Sequence, residues 1–378
     1  MQHRIGNVID AYARQGFHRT GTDVDRTSGG WLADAVRAIG LMPSLEEFTL
    51  SRVDPVTASL AVGNRRIEGL PLFDGGFTAA AGIAGALGSL DSDAAIALTE
   101  IVPNAAEAGA LGKARRQGRH QGIVVVTRGG RAGFCPSNAD SFLRPFGPPV
   151  LQVSSQEGPF LADCVRLGAK AVLTVQVQRN EAPAFNVVAT IEGTDKSAAP
   201  LVVMTPRSGW WWCASERGGG IACWLEIMRA LRDANPVRDV LFVASSGHEL
   251  GHLGIDSFIA RRPGIVPGAH AWMHLGANIG AAQGPGNNLQ ASDDAMEAMM
   301  VDAMIKAGLA IDRRHPRGRV PRGEAENVHR GGGRYVSIIG NNDIFHSTDD
   351  RGPDVVDLNA IGRFAEAFVV VAKALGGA

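Results

Sequence analysis

Between Pro200 and Leu275 the chain repeats one pattern, a short unbroken apolar run followed by a helix-forming stretch. "PLVVMTP" gives way to "GGGIACWLEIMRALRDANP", "DVLFVASS" to "GIDSFIARRPG", and "AWMHL" comes next. A strand that is apolar on both sides has to be covered on both sides, so these runs predict an α/β fold: a mixed, largely parallel sheet sandwiched by helices. Chemistry in such sheets gathers at the carboxyl ends of the strands. That directs attention to the residues after "VVM", "FVASS" and "AWMHL", and to those before the last helix, "VDLNAIGRFAEAFVVVAKAL".

The rest of the chain has a different texture. Apolar spacing predicts helices over 3–16 and 30–40, joined by the polar turn "HRTGTDVDRTSG", and "EEFTLSRV" and "ASLAVGNRRIEG" read as strands. From about Leu70 to Gln178, β-rich runs ("AAIALTEIV", "GIVVVTRGG", "PVLQVS", "AVLTVQVQ") alternate with glycine and proline turns and one helix, "GPFLADCVRLGA". This predicts a small β-rich insert over 67–182 in a discontinuous main domain of 1–66 and 183–378. With 378 residues, 45% of them hydrophobic, 20% charged and a net charge of -1, the chain has material for a large core and no basic excess for nucleic acid. No apolar run reaches membrane-spanning length and "MQHRIGNVIDAYARQG" has no secretory core, so the expected location is cytoplasmic. The expected partner is a small-molecule substrate; oligomeric state stays open, a homo-oligomer included. The four cysteines have no paired spacing, which predicts buried free thiols.

"HELGH", His248 to His252, matches the zinc-protease pattern that needs both histidines on one face of a regular helix. Its context argues against that helix. "DVLFVASSG" reads as a strand running into a turn, and Gly247, Gly251 and Gly254 crowd the segment, each costing roughly 1 kcal/mol in a helix interior.

Three segments of the main domain, and a set of segments over the insert, resemble the aminopeptidase and glutamate carboxypeptidase type of co-catalytic zinc peptidase with a protease-associated insert. "ERGGGIACWLE" occupies the place of that family's "DNGSGVAALLE", "GHELGHLGIDS" of its "GEExGLxGS" loop, and "IFHSTDD" of its late "xxHTxxD" segment. "VVVTRGG", "PPVLQVSSQEG" and "NVVATIEGT" match the insert. The resemblance implies two zinc sites, and this chain departs from both. Thr205 and Arg207 stand at the family's HxD pair and Gly276 at its later aspartate, so one site is lost. The other falls on Glu216, Glu249 and His346, all ligand types, which implies one divalent metal, zinc before manganese or iron.

His248 stands where the family has its general base, and a histidine can take a proton there. Arg207 near the vacated site would replace part of the lost cation's field or bind a substrate carboxylate. Of "GWWWCAS", at least one of Trp210, Trp211 and Trp212 is expected to line a substrate pocket, with His252 and His274 as further cavity residues or as core histidines. An arginine-rich loop over 313–334 holds Glu324, a candidate for orienting an acidic substrate, and His270, His315 and His329 read as surface or loop residues. The leading function is a single-metal hydrolase of an amide-type bond in a small, aromatic or acidic substrate. The alternatives are a lyase or hydratase with His248 as base and Arg207 or the metal as electrophile, and a non-catalytic binding protein on a peptidase fold.

Overall fold

The computed structural model describes residues 1–103 and 105–378. Its first helix, Gln2–Ala13, buries Ile5, Ile9 and Tyr12 from one face, as the spacing predicts. The second runs Asp23–Ala38, so seven residues of the expected polar turn, 23–29, are helical. The reason is local: Thr22 caps the helix by accepting from Asp25 N at 3.3 Å, and Asp23 and Asp25 complement its positive end.

The two expected strands after it are one strand of 19 residues, Ser44–Val62, with a register shift between Pro55 and Thr57. It turns back into Arg65–Glu68 and pairs antiparallel along its length with Lys170–Ile191. Four parallel strands form the centre of the main sheet in the order Tyr335–Gly340, Ala271–Leu275, Leu201–Pro206 and Val240–Ser245. Antiparallel strands flank them, Asn287–Ala291 on one side and Lys170–Ile191 on the other. From Lys170–Ile191 the hydrogen bonding continues through Ile83–Ser89, Ile96–Ile101, Gly122–Thr127 and Val150–Ser154.

Both faces of the central strands are covered, as apolar strands require. On one face Trp224 of Ala214–Arg232, Met300 of Asp294–Lys306 and Phe364 and Phe368 of Leu358–Gly376 pack on Val203, Phe242 and Met273. On the other, Ile255 and Phe258 of Leu253–Ala260 and Val328 of Ala325–Arg330 pack on Val202, Val243 and Trp272. The β-rich stretch has its own apolar clusters around Val124, Val126 and Leu151, and around Ile123, Val125 and Val150. All four cysteines are buried and free. Among the described residues no helix is long and apolar enough to cross a membrane.

Candidate active site

Leu201–Pro206 has Val240–Ser245 on one side and Ala271–Leu275 on the other, so the chain diverges from the carboxyl end of this strand. Such divergence opens the crevice used by α/β enzymes. Arg207 and Ser208 leave this strand, the "HELGH" segment leaves its neighbour, and the helix Ala214–Arg232 brings Glu216 and Arg217 in its first turn. Asp350 fixes that helix end, accepting from Ser215 N at 2.7 Å, Ser215 Oγ at 2.6 Å and Glu216 N at 3.0 Å. Burial holds the Asp350 carboxyl up at about 6 against these bonds. The helix lies so close to the turn that follows Ala271–Leu275 that a Cβ on Gly219 would stand 1.9 Å from the Ile279 carbonyl oxygen.

The "HELGH" segment is not a helix. Gly247 and Gly251 take left-handed conformations with φ of 83° and 81° on either side of a single 3-10 turn, and His252 has φ 68° before the next helix starts at Leu253. The turn nevertheless brings the two rings together, 4.8 Å apart. Glu324 Oε1 accepts from Ser245 Oγ at 2.6 Å and faces His248 Nδ1 at 3.4 Å. A carboxylate accepts only, so Nδ1 carries the hydrogen and Nε2 the lone pair. His252 Nδ1 likewise donates to Asn327 Oδ1 at 2.8 Å, since Asn327 Nδ2 donates to Asp256. Burial first, then the nearby Arg217 and His252, hold His248 well below the usual histidine range.

The expected metal trio is not assembled as a ligand set. His346 is placed as a ligand would be, its Nδ1 donating to the Pro136 carbonyl at 2.7 Å and its Nε2 facing Glu216 Oε1 at 3.4 Å. Glu249 is turned away, with Oε1 accepting from Thr20 N at 2.8 Å and Oε2 from Ser208 Oγ at 2.7 Å. A cation already stands at Glu216: Arg217 Nη2 is 2.7 Å from its Oε1, off the axis of a hydrogen bond, and both side chains are shielded from solvent. Although burial opposes it, Arg217 and His346 hold the Glu216 carboxyl at about 2. Burial pushes the Glu249 carboxyl up. Among the described residues no three histidine, cysteine, aspartate or glutamate side chains stand together as a metal site, so these residues do not fit the metal ion that the resemblance implies.

Arg207 is not an open electrophile. It is wholly buried, its Nη1 donates to Asp25 Oδ1 at 2.9 Å and Asp25 O at 3.0 Å, and its Nη2 donates to Phe185 O. The lyase reading thereby loses Arg207 as electrophile in addition to the metal. Thr205 Oγ1 is likewise spent on the Leu275 carbonyl at 2.9 Å. Trp210 packs in the core against Phe73 and donates to Asn138, while Trp211 and Trp212 close around Phe17, and Trp211 donates to the His346 carbonyl. Trp211 thus braces the late loop, and none of the three tryptophans lines the cavity that His252 reaches. His274 is buried beneath the site with Nδ1 on Ser337 Oγ at 2.8 Å and Nε2 without a partner. His252 does reach a cavity, of about 580 Å³, that Asp140, Leu250, Asp256 and Asn327 also line.

Among the described residues, four of the five non-glycine residues with positive φ, Cys213, His252, Asn278 and His346, lie in the segments at these strand ends. Strained backbone of this kind concentrates where side chains are held for function. Arg217 had no place in the reading of the sequence, yet one signal was present: a cation in the first turn of a helix, against the helix dipole, calls for a local carboxylate. Ser208, Asp25 and Asp350 gave no such signal, because their partners lie 41, 182 and 135 residues away.

No family model matches the chain, and no curated protein sequence matches it. Solved structures do. A zinc aminopeptidase from Bacillus subtilis has a TM-score of 0.80 at 14% identity, with 99% of this chain and 95% of that one covered. The fold is the zinc-aminopeptidase fold. A peptidase M28 precursor from Shewanella amazonensis has a TM-score of 0.78 at 15% identity over 98% of this chain and 92% of its own. An aminopeptidase from an Aneurinibacillus strain has 0.73 at 14% identity, with 99% and 93% covered.

Proposed function

We propose that this chain is a peptidase-like hydrolase that cleaves an amide-type bond in a small substrate. The observation that carries the proposal is the His248–Glu324 pair, set beside Glu216 and Arg217 and joined to the cavity through the His252 ring. Glu324, itself fixed by Ser245, holds the imidazole with Nε2 free, and burial keeps the ring neutral at neutral pH. A neutral, oriented imidazole is what takes a proton from an attacking water. Arg217 Nη2 is ion-paired with Glu216, while its Nη1 has no hydrogen-bond partner and can donate to a carbonyl oxygen on which charge develops. The similar structures, an aminopeptidase and an M28 peptidase among them, support this class of reaction.

The test is a panel of small amides, aminoacyl anilides and N-acyl amino acids among them, assayed with wild type and His248→Gln. Turnover lost at least a hundredfold in the variant supports the reading. Turnover equal in both sinks it. One observation favours a binding role instead: Glu216, Arg217, Glu249 and His346 are each no more than 1% exposed. Absence of turnover across the panel, together with saturable binding of one of its members, decides for that role.

A further inference from the structure

We infer that Arg217 is a built-in replacement for a catalytic metal ion, so that this aminopeptidase fold keeps a cation at its centre without taking one up. The side chain is aimed. Its Nε donates to the Ser208 carbonyl at 2.7 Å, which fixes the guanidinium plane and turns the fork toward Glu216 Oε1 at 2.7 Å. A Cβ on Gly209 would stand 2.6 Å from Cys213 Sγ, so glycine is required where the Ser208 carbonyl meets the start of this helix. Glu216 and His346, the two residues still disposed as ligands, meet at 3.4 Å beside that cation. Glu249 also acts on the Arg217 charge, but gives its oxygens to Thr20 and Ser208.

A fixed guanidinium beside two carboxylates supplies the positive charge that a dication would bring, and repels one that approaches. Among the described residues Arg207, the other buried arginine at these strand ends, is not available for this, since it is committed to Asp25. The inference goes beyond the hydrolase reading and does not need it: a binding protein on this fold would keep the same internal cation.

The experiment uses the full chain without a histidine tag, titrated with zinc and with manganese and read by elemental analysis after dialysis and by thermal unfolding. Wild type is expected to retain less than about a tenth of an equivalent and to melt at the same temperature with or without metal. Arg217→Ser is expected to melt lower, to take up about one equivalent of zinc, and to recover stability on doing so; adding His346→Gln abolishes both effects. One zinc per chain in wild type, lost in Glu216→Gln and His346→Gln, overturns the inference. So does a folded Arg217→Ser that ignores zinc. If Arg217→Ser does not fold, wild type beside His346→Gln decides by the same uptake criterion. These readouts need no substrate, so inactivity toward amides leaves them intact.

Discussion

Arg207 Nη1 lies 2.9 Å from Asp25 Oδ1, with the two side chains 0% and 1% exposed, and this pair ties the second helix to the end of the central strand. Ser246 Oγ donates to the same carboxylate at 2.9 Å. Arg207→Met leaves Asp25 buried without its cation, and such a break costs about 3–5 kcal/mol. Urea unfolding is expected to show that loss for Arg207→Met, with much of it recovered in Arg207→Met/Asp25→Asn. A loss under 1 kcal/mol would mean the pair is exposed in solution.

His248 gives a prediction in pH. Its pKa is lowered, by burial first and by Arg217 and His252 next, so the imidazole stays neutral well below pH 6.5. The acid limb of kcat/KM on an amide substrate is therefore expected below pH 6.5, with the profile flat from there through neutrality. Glu324→Ala removes the acceptor that fixes Nδ1 and is expected to lower kcat about 10- to 100-fold with little change in KM. A limb centred at 6.5 or above would place the proton acceptor elsewhere.

His274 is held at about 3, chiefly by burial. Its unfolded form takes a proton near pH 6.5 and its folded form does not, so below 6.5 the unfolded state binds more protons and stability falls as pH falls. Asp350, held up at about 6, works in the opposite sense, so the wild-type slope is a sum. The informative comparison is His274→Gln with wild type. The variant is expected to lose about 1.4 kcal/mol less per pH unit between pH 6 and 4, the contribution of one proton. Equal slopes would show that the ring is not buried neutral.

Asp293 caps the helix Asp294–Lys306, accepting from Met296 N at 3.0 Å, and receives Arg334 Nε at 2.9 Å. These donors outweigh its partial burial and hold its carboxyl at about 2, so its contribution is complete above the usual aspartate range and is lost as pH falls through 2. Asp293→Ala is expected to cost about 1 kcal/mol at pH 7, as a lost cap does, and nearly nothing at pH 2.

Gly219 has the Ile279 carbonyl where a Cβ would sit, at 1.9 Å. Gly219→Ala is expected to push the helix Ala214–Arg232 away from the turn at Ile279, costing about 1–3 kcal/mol and displacing Glu216 and Arg217 with it. Gly30→Ala, at an open helical position, is the control and should be neutral or slightly stabilising.

Three of the four central parallel strands were readable because each is apolar on both sides, which leaves a covered sheet as the only place to put it; the fourth, Tyr335–Gly340, was not read as a strand. The helix at 23–29 was not, because its composition is that of a polar turn and only the Thr22 cap and the docking of Ser28, Leu32 and Val36 make it helical. The single strand Ser44–Val62 was seen as two because Asp54-Pro55 reads as a break, whereas the long partner strand bridges it with a shift of register. At the site, glycines correctly excluded a zinc-protease helix from "HELGH". The loop resemblance placed His248, Glu249 and His346 at one end of the sheet, yet spacing carries no information about where a carboxylate points.

The sequence alone therefore determined the layers and the strand ends at which polar side chains collect. Only the tertiary structure decided the electrostatics: that Arg207 is spent on Asp25, that Glu249 faces Thr20 and Ser208, and that Arg217 is the cation at Glu216. The physical reason lies in range. Apolar periodicity is a local property, written within one strand or helix, while the pairing of a buried charge depends on which distant donor the fold brings within about 3 Å of it.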